Sequence, residues 1–250
     1  MKATFSTRLK NNETLIGTLI SLSSRETAEI LADVGFDWFF VDLEHSPMGP
    51  IEAQAILQVV GERAECVLRV PLNDEIWIKK ALDTGANAIM VPQVNTQEDA
   101  RRAVRYSKYP PQGTRSLGVG RAHGYGVKLQ AYIDRANLDT VVIVQVEHIE
   151  AVRNIEAIIG TEGINGILVG PYDLSASMGY LGQVENPEVQ AAIAKVRRIC
   201  LEHRMPLGIF VADIERAKTY IQEGYNLIAA SGDILMLSQT ARKVVDNLKR

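Results

Sequence analysis

The chain has 250 residues, a formal net charge of −3, 46% hydrophobic residues and 23% charged ones. That length suits one large domain, residues 1–250, with enough chain to bury a sizeable core. The lysines and arginines are scattered among acidic residues, so nothing reads as a binding face for nucleic acid or an anionic membrane, and no apolar run approaches the roughly 18 residues that span a bilayer.

Short apolar runs of strand length alternate with longer amphipathic stretches. Leu15–Ser21 is the first strand, followed by a helix over Ser24–Val34 that Ser23 or Ser24 can cap. Trp38–Leu43 is the second strand, with a helix over Pro50–Gly61, and Cys66–Val70 the third, with Glu75–Thr84. Ala88–Pro92 is the fourth, and Thr96–Tyr106 reads as a helix with Thr96 as N-cap. Val141–Val146 precedes a helix at Glu150–Ile159, and Gly166–Val169 precedes one at Pro187–His203 whose proline sits in an allowed first turn. Leu207–Val211 with Ile214–Gly224, then Leu227–Ala230 with Leu235–Leu248, complete the series. Eight strand–helix units with continuously apolar strands predict a parallel sheet buried on both faces, closed as a (β/α)8 TIM barrel; an open doubly wound sheet is the lesser reading. Gly35, Gly85 and Gly224 stand where helices should end.

One segment breaks the rhythm. More than thirty residues separate Tyr106 from Val141, far beyond a usual connection. Its Gly118-Val119-Gly120 is no dinucleotide fingerprint, because no strand leads into it and His123 takes the third glycine's place. It reads as an ordered loop, helical over Lys128–Asn137, covering a subunit interface or a site mouth. Cys66 and Cys200 read as small buried hydrophobes. Residues 1–10 have no apolar core of a signal peptide, so the expected location is the cytoplasm.

In a parallel barrel the chemistry gathers where strands end. Strand two ends on Asp42, Glu44 and His45; strand three on Arg69; strand five on Gln145 and Glu147; strand six runs into Tyr172 and Asp173. Glu147 and Asp173, on adjacent strand ends, could meet across one cation, and an all-oxygen and amide donor set favours Mg²⁺ or Mn²⁺ over structural zinc. Their rival role is to pair with Arg69. Arg69 in turn could fork onto a carboxylate or steady a developing oxyanion, or simply pair with Asp42 or Glu44. His45 could act as a general base or be merely exposed. No strand ends in lysine, which argues against imine chemistry and leaves a metal as the electron sink.

The runs Gly35–His45, Arg69-Val-Pro71, Val91–Val94, Tyr109–Ser116, Gln145-Val-Glu147 and Gly170–Gly179 together resemble the HpcH/HpaI aldolase family over nearly the whole chain. The resemblance implies a class II pyruvate aldolase that cleaves a 4-hydroxy-2-oxo acid reversibly to pyruvate and an aldehyde. It implies a divalent cation, Mg²⁺ or Mn²⁺ with Co²⁺ a further candidate, held by Glu147 and Asp173, with no organic cofactor. Gln145 would contact the 2-oxo acid, and the backbone near Tyr172 and Asp173 its carboxylate, with Asp42 counted among the substrate-binding residues. Arg69 would stabilise the enolate, His45 would be the base, and Asp83 would match an aspartate that raises its basicity. Asp83, near a helix end, should face the opposite end of its own barrel and could reach a His45 only across a subunit boundary. Tyr172 stands where several relatives carry a small residue and could narrow the acceptor space. The resemblance also suggests a homohexamer. An enolate-based carbon–carbon ligase or decarboxylase, citrate-forming or macrophomate-synthase-like, is the alternative on the same barrel.

Overall fold

The computed structural model describes residues 3–249. Eight parallel strands close on themselves in sequence order: β1 (Leu15–Ile20), β2 (Trp38–Asp42), β3 (Glu65–Arg69), β4 (Ala88–Val91), β5 (Val141–Val146), β6 (Gly166–Val169), β7 (Leu207–Val211) and β8 (Leu227–Gly232). The ring is sealed by β1 against β8, with Leu15 opposite Leu227 and Gly17 opposite Ala229. The helices are α1 (Phe5–Lys10), α2 (Arg25–Val34), α3 (Pro50–Val60), α4 (Glu75–Asp83), α5 (Gln97–Ser107), α6 (Leu129–Asp139), α7 (Ile149–Arg153), α8 (Ile155–Ile159), α9 (Pro171–Ser177), α10 (Pro187–Glu202), α11 (Ile214–Gln222) and α12 (Asp233–Leu248). The expected (β/α)8 barrel is therefore present, with every predicted strand in place. Among the described residues no helix is long and apolar enough to cross a membrane.

Alternation along each strand sorts its side chains into two cores. Outward residues such as Phe39, Val41, Leu68, Val142 and Ile167 pack under the helices. Inward residues, including Trp38, Phe40, Val67, Met90, Ile143 and Leu168, fill the barrel. Space inside is tight: a Cβ on Gly17 would lie 2.5 Å from the Trp38 indole and its carbonyl oxygen. Predicted caps are also found: Ser24 Oγ accepts from the Thr27 amide at 3.0 Å and Thr96 Oγ1 from the Asp99 amide at 3.1 Å. Gly35, Gly85 and Gly224 take positive φ between +95° and +102° past their helices.

Three elements depart from expectation. Helix α1, unanticipated, inserts Phe5 and Leu9 into the inner core. The expected Glu150–Ile159 helix is two, because Asn154 leaves helical geometry and donates its side-chain amide to the Asn95 carbonyl at 2.8 Å. The residues after Gly170 form α9, which Pro171 opens at a first-turn position. Of α12 only Asp233 is buried; its carboxylate accepts from the Ser21 and Leu22 amides.

Candidate active site

The inward stripe of several strands changes character at its C-terminal end. On β2 it runs Trp38, Phe40, Asp42; on β3 Val67, Arg69; on β5 Val141, Ile143, Gln145, continuing to Glu147. The period of two that builds the apolar core thus delivers polar groups to one mouth. A cavity of about 140 Å³ opens there, lined by Leu19, Phe40, His45, Arg69, Gln145, Leu168, Gly170, Pro171, Tyr172, Asp173 and Phe210. No lysine lines it.

Arg69 organises the site. Strand register sets it opposite Asp42, and the two form a fork, Nε to Oδ1 at 2.9 Å and Nη2 to Oδ2 at 2.7 Å. Its guanidinium carbon lies 4.8 Å from the centre of the Phe40 ring. Nη1 reaches Gln145 Oε1 at 3.4 Å, and Gln145 Nε2 donates to Glu147 Oε2 at 2.7 Å. The other Glu147 oxygen accepts from the Gln93 amide at 2.8 Å, on a residue whose φ of +54° turns its backbone toward the mouth. A continuous chain thus runs from Asp42 to the β4 end. Both readings of Arg69 meet here: it is a structural ion pair with Asp42, and it lines the cavity. Glu147 is not its partner.

Electrostatics give the carboxylates separate characters. Burial works to raise the Asp42 carboxyl, but the Arg69 hydrogen bonds and charge, with the Glu44 and His45 amides, hold it below the usual range. Burial raises Glu147 to about 7, opposed by the Gln93 amide and reinforced by repulsion from Glu44 and Asp173. Glu44 is raised by burial too, with Arg69 pulling it down and Asp42 and Asp173 pushing it up. Glu44 Oε2 lies 3.2 Å from Arg69 Nε, yet that N–H points at Asp42, so the oxygen is buried without a hydrogen bond. Arg69 is forked onto Asp42 and close to Glu44, so a single guanidinium faces four carboxyl groups, Asp42, Glu44, Glu147 and Asp173, at one mouth. The sequence offered Glu44 as a strand-end residue and a possible ion-pair partner of Arg69, which its 3.2 Å approach bears out, but gave it no role toward metal or substrate.

Asp173 sits in the first turn of α9, which has no side-chain cap. The Tyr172 and Asp173 amides therefore begin a helix as free donors beside the cavity, a geometry suited to an anion. The Tyr172 side chain is about half exposed and does line the cavity. The His45 side chain is 63% exposed, with Nε2 3.7 Å from Glu44 Oε2. Among the described residues no three His, Cys, Asp or Glu side chains form a ready cluster for a metal. Asp173 lines the cavity and Glu147 lies buried close enough to feel its charge; such a pair fits Mg²⁺ or Mn²⁺, which keep several waters and take one or two protein carboxylates plus ligand oxygens. The buried, bondless Glu44 oxygen and the unmatched negative charge point the same way.

Asp83 is elsewhere. It ends α4 just before β4 begins, at the N-terminal end of the barrel, and binds Arg115 Nη2 at 2.7 Å. The structure does not bring it to His45 within one chain. The long Tyr106–Val141 segment lies at that same end, where Arg121 Nη1 donates to the Thr84 carbonyl at 2.8 Å. It carries a 3-10 segment at Arg121–Gly126, kinked at Gly124 and Tyr125 where φ turns positive, and then α6. The expectation that it covers a site mouth is thus corrected for its own barrel: the mouth is at the opposite end, because a connection from helix to strand stays on the N-terminal side.

A closed parallel barrel with a carboxylate-rich mouth organised by one arginine defines the class. The model of the family described as HpcH/HpaI aldolase/citrate lyase matches residues 15–239, and the chain belongs to that family. It is 38% identical to a hydroxypyruvate/pyruvate aldolase of Roseobacter denitrificans, over 99% of this chain and 97% of that protein. It is 37% identical to a 4-hydroxy-2-oxo-heptane-1,7-dioate aldolase of Escherichia coli, over 96% and 93%. A crystal structure of an HpcH/HpaI aldolase/citrate lyase family protein from Burkholderia cenocepacia superposes with a TM-score of 0.95 at 35% identity, covering 98% of each chain.

Proposed function

We propose that the chain is a single-domain, divalent-metal-dependent pyruvate aldolase, cleaving a 4-hydroxy-2-oxo acid to pyruvate and an aldehyde and running the reverse addition. The observation that carries the reading is the charge balance at the mouth: one arginine, Arg69, already forked onto Asp42, stands against three further carboxyl groups, Glu44, Glu147 and Asp173. Glu147 and Asp173 would hold Mg²⁺ or Mn²⁺. When bound, the metal would polarise the ketone of the 2-oxo acid and make its methyl protons acidic.

The chain's own residues do the rest. The Gln145 amide and the free Tyr172 and Asp173 N–H groups bind and orient the 2-oxo acid. Asp42 keeps the Arg69 guanidinium fixed beside the ketone oxygen, where it steadies the negative charge that develops there. In cleavage a ring nitrogen of His45 takes the proton of the 4-hydroxyl. The C3–C4 bond breaks, the aldehyde leaves, and the resulting enolate is reprotonated at C3. In addition His45 takes the methyl proton first. Leu19, Phe210 and the Tyr172 ring form the apolar wall for the aldehyde, favouring a short one. His45 needs a carboxylate partner, and Asp83 of the partner subunit supplies it in a homo-oligomer, which we take to be a hexamer. Exposed Ile234, Leu237, Val244, Val245 and Leu248 on α12 support assembly.

The test is exchange of the pyruvate methyl protons into D2O, read with and without Mn²⁺, together with calorimetric titration of Mn²⁺. Wild type should exchange only with metal. Asp173→Asn should lose both exchange and Mn²⁺ binding while keeping its circular dichroism. Full exchange after chelation would overturn the reading.

A further inference from the structure

Among the described residues, the least exposed arginine is not in the candidate active site. Arg115 is 1% exposed, at the N-terminal end of the barrel. Its guanidinium lies 4.6 Å from the centre of the Tyr109 ring and 5.7 Å from that of Tyr132. Nη1 donates to the Tyr132 hydroxyl at 3.1 Å. The cage is itself braced: the Tyr109 hydroxyl meets His123 Nε2 at 3.1 Å, and the His123 ring stands edge-on to Tyr132 at 4.7 Å. Nε has no acceptor at all.

Among the described residues one carboxylate reaches this cation, and it is Asp83, through Oδ1 at 2.7 Å. The pair is lopsided. The arginine side chain is wholly buried while the aspartate side chain is 30% exposed. Burying a charge to meet a partner that water still reaches is a poor way to stabilise a fold, and an apolar side chain would fill an aromatic cage at lower cost. What the arrangement does achieve is fixity. Asp83 is the last residue of α4, where a side chain would otherwise turn freely, and the single bond from Nη2 holds one oxygen while the other makes no hydrogen bond within the chain. The backbone packs in the same sense: a Cβ on Gly120 would lie 3.3 Å from the Asp83 carbonyl oxygen. The loop beyond Arg115 then presents Leu117, Val119, Tyr125 and Val127 to the outside, an apolar plate of the kind that a protein partner covers.

We propose that Arg115 is a positioning residue for the reaction: its caged guanidinium fixes the Asp83 carboxylate in the one orientation that meets His45 of the partner subunit. The inference rests on the reading, given above, that Asp83 serves His45 across a subunit boundary. It adds why the long segment, remote from its own barrel mouth, bears on the chemistry.

A double-mutant cycle tests it, on the assembled Mn²⁺ enzyme, with pyruvate methyl exchange followed by mass spectrometry. Asp83→Asn and Arg115→Met should each lower the exchange rate at saturating pyruvate by roughly ten- to a hundredfold, the range for partners that orient a functional group. KM for pyruvate should stay within about twofold, since neither residue touches pyruvate. The double variant should be no slower than Asp83→Asn alone, because both changes break one device. Arg115→Lys, which keeps the charge but not the planar guanidinium that bonds Asp83 and Tyr132 together, should recover part of the rate. Size-exclusion elution must match wild type throughout. If Arg115→Met does not assemble, Tyr132→Phe, which removes one support of the guanidinium, takes its place in the cycle with the same expected non-additivity. Losses that multiply in the double variant, or a full rate in Arg115→Met beside an impaired Asp83→Asn, overturn the inference and leave the shared site standing. A full rate in Asp83→Asn overturns the shared site, and this inference with it.

Discussion

Replacing Glu147 by Gln should make the metal-free protein more stable at pH 8 while removing its capacity to bind metal. Glu147 is 3% exposed, and its carboxyl is raised from 4.5 to about 7, chiefly by burial. A carboxyl raised on folding stabilises the fold in its protonated form. That contribution is complete below pH 4.5 and is lost as pH rises through about 7. At about 1.4 kcal/mol per pH unit, the charged form costs the apoprotein about 3 kcal/mol at pH 8. Glutamine carries no such cost. Its carbonyl can still accept from the Gln93 amide, but its NH2 faces Gln145 Nε2, so the 2.7 Å bond to that amide is lost, at about 1 kcal/mol. The net gain is about 2 kcal/mol at pH 8, or roughly 4–8 °C in Tm for a chain of this size. At pH 4 only the lost hydrogen bond remains, and the variant should melt roughly 2–4 °C below wild type. Thermal melts of EDTA-treated protein at both pH values, at one protein concentration, read this directly. Adding Mn²⁺ at pH 8 should raise the wild-type Tm and leave Glu147→Gln unmoved. A variant that melts below wild type by the same margin at both pH values would refute the electrostatic account, whatever its activity.

Three further outcomes follow from the packing. A Cβ on Gly170 would lie 3.0 Å from Glu147 Cβ and 3.2 Å from Gln145 Nε2, so Gly170→Ala should displace the carboxylate and weaken Mn²⁺ binding about tenfold, or ~1.4 kcal/mol; calorimetry showing unchanged affinity would contradict it. The backbone there has φ −99°, which alanine adopts freely, so the fold should be kept. Tyr172→Ala should raise kcat/KM for bulky aldehydes over acetaldehyde about tenfold by opening the apolar wall, and an unchanged ratio would place the ring outside the acceptor space. Gly17→Ala should lower stability by about 3 kcal/mol through overpacking against Trp38, seen as a Tm drop of roughly 6–12 °C, because the 2.5 Å approach to indole and carbonyl leaves no room to yield.

The barrel was legible because its cause is local and repeated. Each strand is an apolar run bounded by turn residues, and eight repeats leave few ways to bury both faces. Where a single side chain redirects the backbone, periodicity is silent. Asn154 splits a helix by bonding to the Asn95 carbonyl, 59 residues away in the chain, and α9 owes its start to Pro171 in a stretch that reads equally well as a loop. Helix α1 is short, and its apolar residues Phe5 and Leu9 gain meaning only from the barrel floor they close.

The polar part of the site was legible for a related reason. An ionisable group at the end of an apolar run is costly to bury and stands out, so Asp42, Arg69, Gln145 and Glu147 could be read one by one. The apolar part was not: Leu19 and Phe210 lie within strands whose other residues are core, and nothing local separates a cavity wall from a packed interior. Asp83 marks the remaining boundary. Its place at the far end of its own barrel was inferred correctly, and the role proposed for it needs a His45 that its own chain does not bring near. Its neighbours are what the proposal draws on: a wholly buried Arg115 spent on a carboxylate that is 30% exposed is a costly way to stabilise a fold, and the same pair is well suited to holding that carboxylate still for a second subunit to meet.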